Sequence, residues 1–282
     1  MRLLLLGATG VIGKNLQKYI CRTNYSLICT AGRLCSADNI NQLQQLFRDY
    51  KPNIVISALG KRREKVIAKT QELPYSSYIQ SIKNIASCIN TFSLQKLLFL
   101  STHSVLDTRF NPSQYLVDYS ASRQWAENYL LSNISSDILS IVRPTIVYGS
   151  FDIKDRLRPL SLLDDCLRGR RVFIYGDGRE VRNYIHIDDL CRIIMRNILS
   201  VSSDGASIVN ASHENISYAK LFSLVESFCS KRLVVINKNR TMPYLSLPVE
   251  ATYYPEFYKN NLEQWLSTKA YRFLCKNSLS SL

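Results

Sequence analysis

Leu3-Leu4-Leu5-Leu6-Gly7-Ala8-Thr9-Gly10-Val11-Ile12-Gly13 is the stretch that decides how this chain is read. Consecutive apolar residues over 2–6 fit a short strand buried on both faces of a parallel sheet. Val11, Ile12, Leu16, Tyr19 and Ile20 then fall at helical spacing, so a helix is expected over 11–22. The glycines between them have separate tasks. Gly7 permits a tight turn, Gly10 lets backbone approach a pyrophosphate, and Gly13 lets helix and strand pack closely. A diphosphate there would meet unpaired N–H groups and the positive end of a helix dipole.

Moving outward, strands are expected at 26–31, 53–58, 96–101 and 138–142, with helices over 39–50, 75–93 and 118–133. That alternation predicts an α/β fold of the Rossmann type, a doubly wound parallel sheet. Beyond Gly149 the rhythm loosens. Helices near 157–168, 188–199 and 217–230 and a strand at 172–175 are expected, with a further helix from 259 onward. The division that follows is a dinucleotide-binding domain over 1–150 and a smaller C-terminal α/β substrate lobe over 151–282, interleaved with the first.

The 282 residues are 46% hydrophobic and 21% charged, which excludes disorder as the main state. The net charge of +14 is spread along the chain rather than held in a tail, and it favours anionic partners without naming one. No recognised nucleic-acid motif accompanies it, so nucleic acid is not the expected partner. The eight cysteines show no C-x-x-C spacing or Cys/His cluster, so no metal is expected. Scattered thiols read as reduced residues of a cytoplasmic protein. No apolar stretch approaches a membrane span, and the N-terminal run is too short for a signal peptide. The expectation is a soluble, unprocessed protein.

The G-x-x-G-x-x-G spacing resembles the short-chain dehydrogenase/reductase superfamily, in its extended branch of sugar-nucleotide epimerases, dehydratases and reductases. Further segments carry the same resemblance. Asp118-Tyr119-Ser-Ala-Ser-Arg123 is similar to the Y-x-x-x-K helix, and Ser101-Thr102-His103-Ser104-Val105 to the strand end that polarises a substrate carbonyl. Arg143-Pro144-Thr145-Ile-Val-Tyr-Gly149 is similar to R-P-x-x-V-Y-G. Tyr175-Gly-Asp-Gly through Arg182 and His186 to Asp189 is similar to G-D-G…R-x-x-x-H-x-x-D. Together they run from residue 2 to about 220.

The resemblance implies a catalytic set of Thr102, Tyr119 and Arg123. In the family the Tyr exchanges a proton with the sugar oxygen, while the cation eases loss of that proton and holds the nicotinamide ribose. It also implies a cofactor site of Gly7, Thr9, Gly10, Val11, Ile12, Gly13, Arg33, Asp38, Ala58, Leu59, Gly60, Tyr119, Arg123 and Pro144. His103, Thr145 and Arg182 fall on the substrate side, Arg182 for a nucleotide diphosphate. Arg33, at the end of the second strand, offers a fork for a 2′-phosphate and points to NADP, with NAD possible. Asp38 suits either the adenine amino group or the cap of the next helix. His186, on a strand leading into a helix, reads as structural.

Two positions depart from the pattern. Arg123 replaces the usual Lys, a swap that is not conservative at a fitted site. An ungapped match also puts Tyr78 where Asn is usual. The expected function is an NADP-dependent reductase of a keto group on a nucleotide-activated (deoxy)sugar. The alternatives are an NAD-dependent sugar-nucleotide epimerase, or a cofactor-binding regulatory protein without turnover. A 4,6-dehydratase is disfavoured, because His103-Ser104 stand where that group carries Asp-Glu. The resemblance further implies a homodimer through the helices at 75–93 and 118–133. The basic runs Lys61-Arg62-Arg63-Glu64-Lys65 and Arg168-Gly-Arg170-Arg171 read as solvated charge.

Overall fold

The computed structural model describes residues 1–30, 35–60, 75–106, 114–149, 165, 170–175, 178–179, 181–199, 206–229, 234–238 and 255–268. Its first compact unit comprises Met1–Pro144 with Cys191–Ala211, and its second Thr145–Leu190 with Ser212–Leu282.

In the first unit, strands β1 (Arg2–Leu6), β2 (Ser26–Thr30), β3 (Ile54–Ser57), β4 (Lys96–Leu100), β5 (Leu139–Pro144) and β9 (Ser207–Ala211) form one sheet. Its order is β2-β1-β3-β4-β5-β9, and every pairing is parallel. This is the expected doubly wound fold. Helices α1 (Val11–Ile20), α2 (Ile40–Tyr50), α3 (Ser76–Thr91) and α4 (Gln114–Asn133) connect the first five strands. Leu3, Leu4, Leu5 and Leu6 are buried, as are all four residues of β3. Each such aliphatic side chain contributes about 1.5–3 kcal/mol of burial, which fixes these runs as central strands.

Connections from β1 lead to β2 on one side and, after α2, to β3 on the other. The strand order therefore reverses at β1 and β3, where α/β sheets open a crevice beyond their carboxyl ends. Gly7 and Ala58 follow those two strands and meet there, with the Ala58 N–H donating to Leu6 O at 2.9 Å.

The second unit holds an antiparallel pairing of β10 (Glu214–Ser217) with β8 (Val181–His186), and β6 (Ile146–Tyr148) runs parallel to β8. A separate parallel pair joins β7 (Arg171–Tyr175) to β11 (Val234–Lys238). Helix α5 (Ile187–Leu199) begins in this unit and ends in the first, and α6 (Tyr218–Cys229) and α7 (262–268) complete the second. Strands β6, β9, β10 and β11 were not expected from the sequence. β6 has only three residues, and in β9, β10 and β11 polar residues break the pattern that marks a strand. The expected helix at 157–168 lies almost wholly outside the described residues, as do Lys61–Lys65, Arg168 and Gly169.

Candidate active site

The glycine loop is built as its spacing demands. Gly7 has φ +81°, and a Cβ there would stand 2.4 Å from Ala58 O, so only glycine fits both the turn and the contact. A Cβ on Gly13 would lie 2.3 Å from Gly7 O, so α1 packs directly on the loop. At Gly10 the one neighbour among the described residues that such an atom would meet is Gly7 O at 3.4 Å. Gly10 and Thr9 are exposed, and Val11 and Ile12 half-buried. No side chain caps α1 and no acid sits in its first turn. These first-turn N–H groups fit the pyrophosphate of a dinucleotide, by the same chemistry that binds anions at helix N-termini.

Asp38 lies just before α2, but the cap is Asn39, whose side chain accepts from Gln42 N at 3.2 Å. The helix-cap reading of Asp38 therefore gives way. Its carboxylate instead accepts from the Ser36 and Ser77 hydroxyls. Asn84 on α3 donates to Ala37 O at 3.0 Å, tying the same loop to that helix. Arg33 lies outside the described residues.

At the end of β4, Thr102 and His103 are half-buried, and His103 opens a 3-10 turn over His103–Leu106. The Ser120 hydroxyl donates to Ser104 Oγ at 3.0 Å, and Ser104 Oγ donates to Thr102 Oγ1 at 3.3 Å. This chain joins the β4 end to the residue after Tyr119. The sequence reading did not assign Ser104 or Ser120 to the site, because an isolated serine carries no spacing signal.

Arg123 is buried, and its surroundings are largely neutral. Nη1 donates to Tyr78 Oη at 2.6 Å and to Leu100 O, the last residue of β4, at 3.4 Å. The guanidinium carbon stands 4.2 Å from the Tyr78 ring centroid and 5.2 Å from that of Tyr119. Tyr119 also packs against Tyr75, at 6.3 Å between centroids. Burial drives the Tyr78 phenol well above its ordinary pKa, although the Arg123 charge and hydrogen bond pull the other way. Tyr78 is thus a neutral partner. The sequence showed it only as a departure from the family pattern and did not place it in the site.

One turn along α4, Glu127 accepts from Arg143 Nε at 3.0 Å and from its Nη2 at 2.6 Å. That pair ties α4 to β5, which ends in the buried Pro144. Ala58 and Leu59 are half-buried at the end of β3, and exposed Gly60 follows.

In the second unit, Thr145 and Arg182 are half-buried. Arg182 Nε donates to Tyr218 Oη at 3.3 Å. His186 Nδ1 accepts from Asp188 N at 3.2 Å, serving the start of α5. Asp189 lies in the first turn of the same helix. Its carboxylate is buried and accepts from Lys259 N at 3.2 Å and from Asn260 N at 3.3 Å. Among the described residues, no group of three or more His, Cys, Asp or Glu residues is arranged to hold a metal. Nor is any helix there long and apolar enough to cross a membrane.

Residues 3–211 match the model of the NAD dependent epimerase/dehydratase family. This chain belongs to that family. It is 26% identical to a dTDP-D-glucose 4,6-dehydratase of Dictyostelium discoideum over 258 residues, covering 72% of this chain but only 58% of that protein. The fold is similar to that of UDP-glucose 4-epimerase from Thermotoga maritima, solved with UDP-glucose. The TM-score is 0.76 at 17% identity, covering 98% of this chain and 99% of that one. It is also similar to a GDP-mannoheptose C4 reductase from Campylobacter jejuni with NADP bound, with TM-score 0.72, 16% identity, and 96% and 98% covered. These similarities support a nicotinamide cofactor for this family member.

Proposed function

We propose that this family member is an NADP-dependent oxidoreductase that reduces a keto group of a nucleotide-activated (deoxy)sugar. The observation that carries the reading is the grouping of Tyr119, Arg123 and Thr102 around the end of β4. It lies at the same sheet edge as the glycine loop after β1. Arg33 supports NADP over NAD, since a guanidinium suits a 2′-phosphate. The absence of a carboxylate at 103 and 104 speaks against the dehydratase chemistry named for the Dictyostelium relative.

A reduced nicotinamide cofactor, when bound, would supply the hydride. Thr102 donates its hydroxyl hydrogen to the carbonyl oxygen, with Ser104 N–H and Oγ satisfying the Thr102 oxygen from the other side. Tyr119 gives its proton to the oxygen as the alcohol forms. Arg123 holds its charge against the Tyr119 ring and the strand end. Arg182 binds the substrate diphosphate, and His103 and Thr145 line the sugar side. We further propose a cytoplasmic homodimer through α3 and α4, where Trp125 and Tyr129 stack at 4.9 Å and are only half-buried. Sedimentation as a monomer overturns that part.

Loss of NADPH absorbance with a panel of nucleotide-linked 4-keto sugars tests the reaction. The wild type is expected to turn over one of them, and Tyr119→Phe to lower the rate about 100-fold or more. Tight NADPH binding without turnover on any of them, and no gain from Arg123→Lys, overturns the reductase reading. Purification with NAD retained, together with interconversion of sugar epimers, would establish the epimerase alternative instead.

A further inference from the structure

The Arg123 guanidinium has more donors than partners. Nη1 serves Tyr78 and Leu100, whereas among the described residues Nε, which is buried, has no hydrogen-bond partner. Nη2 makes no hydrogen bond to a described residue, and it lies 3.7 Å from where a Cβ on Gly60 would stand. Among the described residues no carboxylate pairs with Arg123, and Glu127, one turn on, is occupied by Arg143. A buried cation whose described partners are neutral oxygens and ring faces retains attraction for an oxygen-rich ligand. Gly60 follows the strand whose end meets the glycine loop, so the spare donor lies beside the loop at the end of β3.

We propose that Tyr78 is a positioning residue: its phenol oxygen, with Leu100 O, holds Nη1 of Arg123 so that Nη2 is the donor left for the ribose next to the nicotinamide. The inference rests on the nicotinamide-dinucleotide reading of the glycine loop. The Tyr78 ring, its centroid 4.2 Å from the guanidinium carbon, supports the guanidinium, and the hydroxyl sets its rotation. Arg is suited to this division because its planar fork presents donors in fixed directions, which a Lys ammonium does not. Tyr78 and Arg123 therefore act as a matched pair, and the departure from Lys at 123 is accommodated by the tyrosine at 78.

The test is the dissociation constant of NADPH, NADH and 2′,5′-ADP for the purified full chain, measured by calorimetry. The last of these lacks the nicotinamide riboside. Tyr78→Phe keeps the ring and the stacking and removes only the hydroxyl. It is expected to weaken NADPH about tenfold, within the range for one charge-assisted hydrogen bond, and to leave 2′,5′-ADP unchanged. Arg123→Lys is expected to weaken NADPH at least as much, and adding Tyr78→Phe to it to change little more. Tyr78→Phe with unaltered NADPH affinity overturns the proposal. So does an equal loss for NADPH and 2′,5′-ADP, since that marks general damage to the fold. Full additivity of the two substitutions overturns the pairing. Failure of the wild type to bind either dinucleotide overturns the cofactor reading itself, and this inference with it.

Discussion

Arg123 on α4 and Arg143 on β5 are both largely removed from water, yet their surroundings differ in kind. Arg143 is clasped by a buried carboxylate through three N–H···O contacts at 2.6–3.2 Å. Its charge is neutralised and its donors directed, so it acts as a strut between helix and sheet. Arg123 has a phenol, a strand-end carbonyl and two ring faces, and no ion pair among the described residues. One region consumes its cation and the other leaves it available. Burial alone therefore does not tell these two arginines apart; the charge and number of their described partners do.

The largest expected effect comes from breaking the strut. Glu127→Gln keeps the shape but leaves the Arg143 charge without a counter-ion, at a cost of about 3–5 kcal/mol of stability. Thermal or chaotrope denaturation reads this directly. Replacing both partners, as Glu127→Leu with Arg143→Met, is expected to recover stability to within about 1 kcal/mol of the wild type, because buried ion pairs do little better than apolar packing of similar volume. A double variant as unstable as the single one would show that the pair does more than neutralise itself.

Next in size is an alkaline effect on the other side of the comparison. Burial raises the Tyr78 pKa above its ordinary value of 10.0, and this outweighs the opposing pull of Arg123. The neutral phenol's contribution is fully present below about pH 10. It is lost as pH rises further, because the unfolded chain releases that proton while the folded one keeps it. Between pH 10 and 11 the wild type is expected to lose about 1 kcal/mol more than Tyr78→Phe. Equal losses in the two proteins would mean that Tyr78 ionises in the folded state as freely as in solution.

Much of this was legible in the chain itself. Leu3–Leu6 followed by Gly7, Gly10 and Gly13 specifies strand, turn and helix: Gly7 and Gly13 answer close backbone contacts, and Gly10 stands at the start of the helix. Thr102, Tyr119 and Arg123 were singled out through the resemblance to the family's strand-end and Y-x-x-x-K segments, and the structure sets Arg123 against the Tyr119 ring and the last carbonyl of β4. Ser104, Ser120 and the Glu127–Arg143 clasp were not placed in those roles. Their partners lie 16 residues apart in sequence, and no local period records such a pairing. Tyr78 was visible only as an anomaly. A tyrosine on a helix face reads as core, and its hydroxyl acquires meaning only when α4 brings Arg123 against it. Asp38 was left open between the adenine amino group and the cap of α2; the cap is Asn39, equally suitable in type and separated from Asp38 only by backbone geometry.

The smallest stability effect is the most discriminating. Arg123→Met removes two hydrogen bonds but also a buried charge that no carboxylate neutralises, and these contributions oppose one another. The net change is expected to lie within about 1 kcal/mol, well below that of Glu127→Gln, while the affinity for NADPH falls about tenfold or more. A strut and a ligand-facing cation thus separate on two measured axes. Glu127→Gln lowers the melting temperature and retains the NADPH affinity of whatever fraction is folded. Arg123→Met retains the melting temperature and loses affinity. If Arg123→Met destabilises the chain as much as Glu127→Gln does, then Arg123 is a second strut, its neutral partners suffice to hold it, and the spare Nη2 donor has no assigned task.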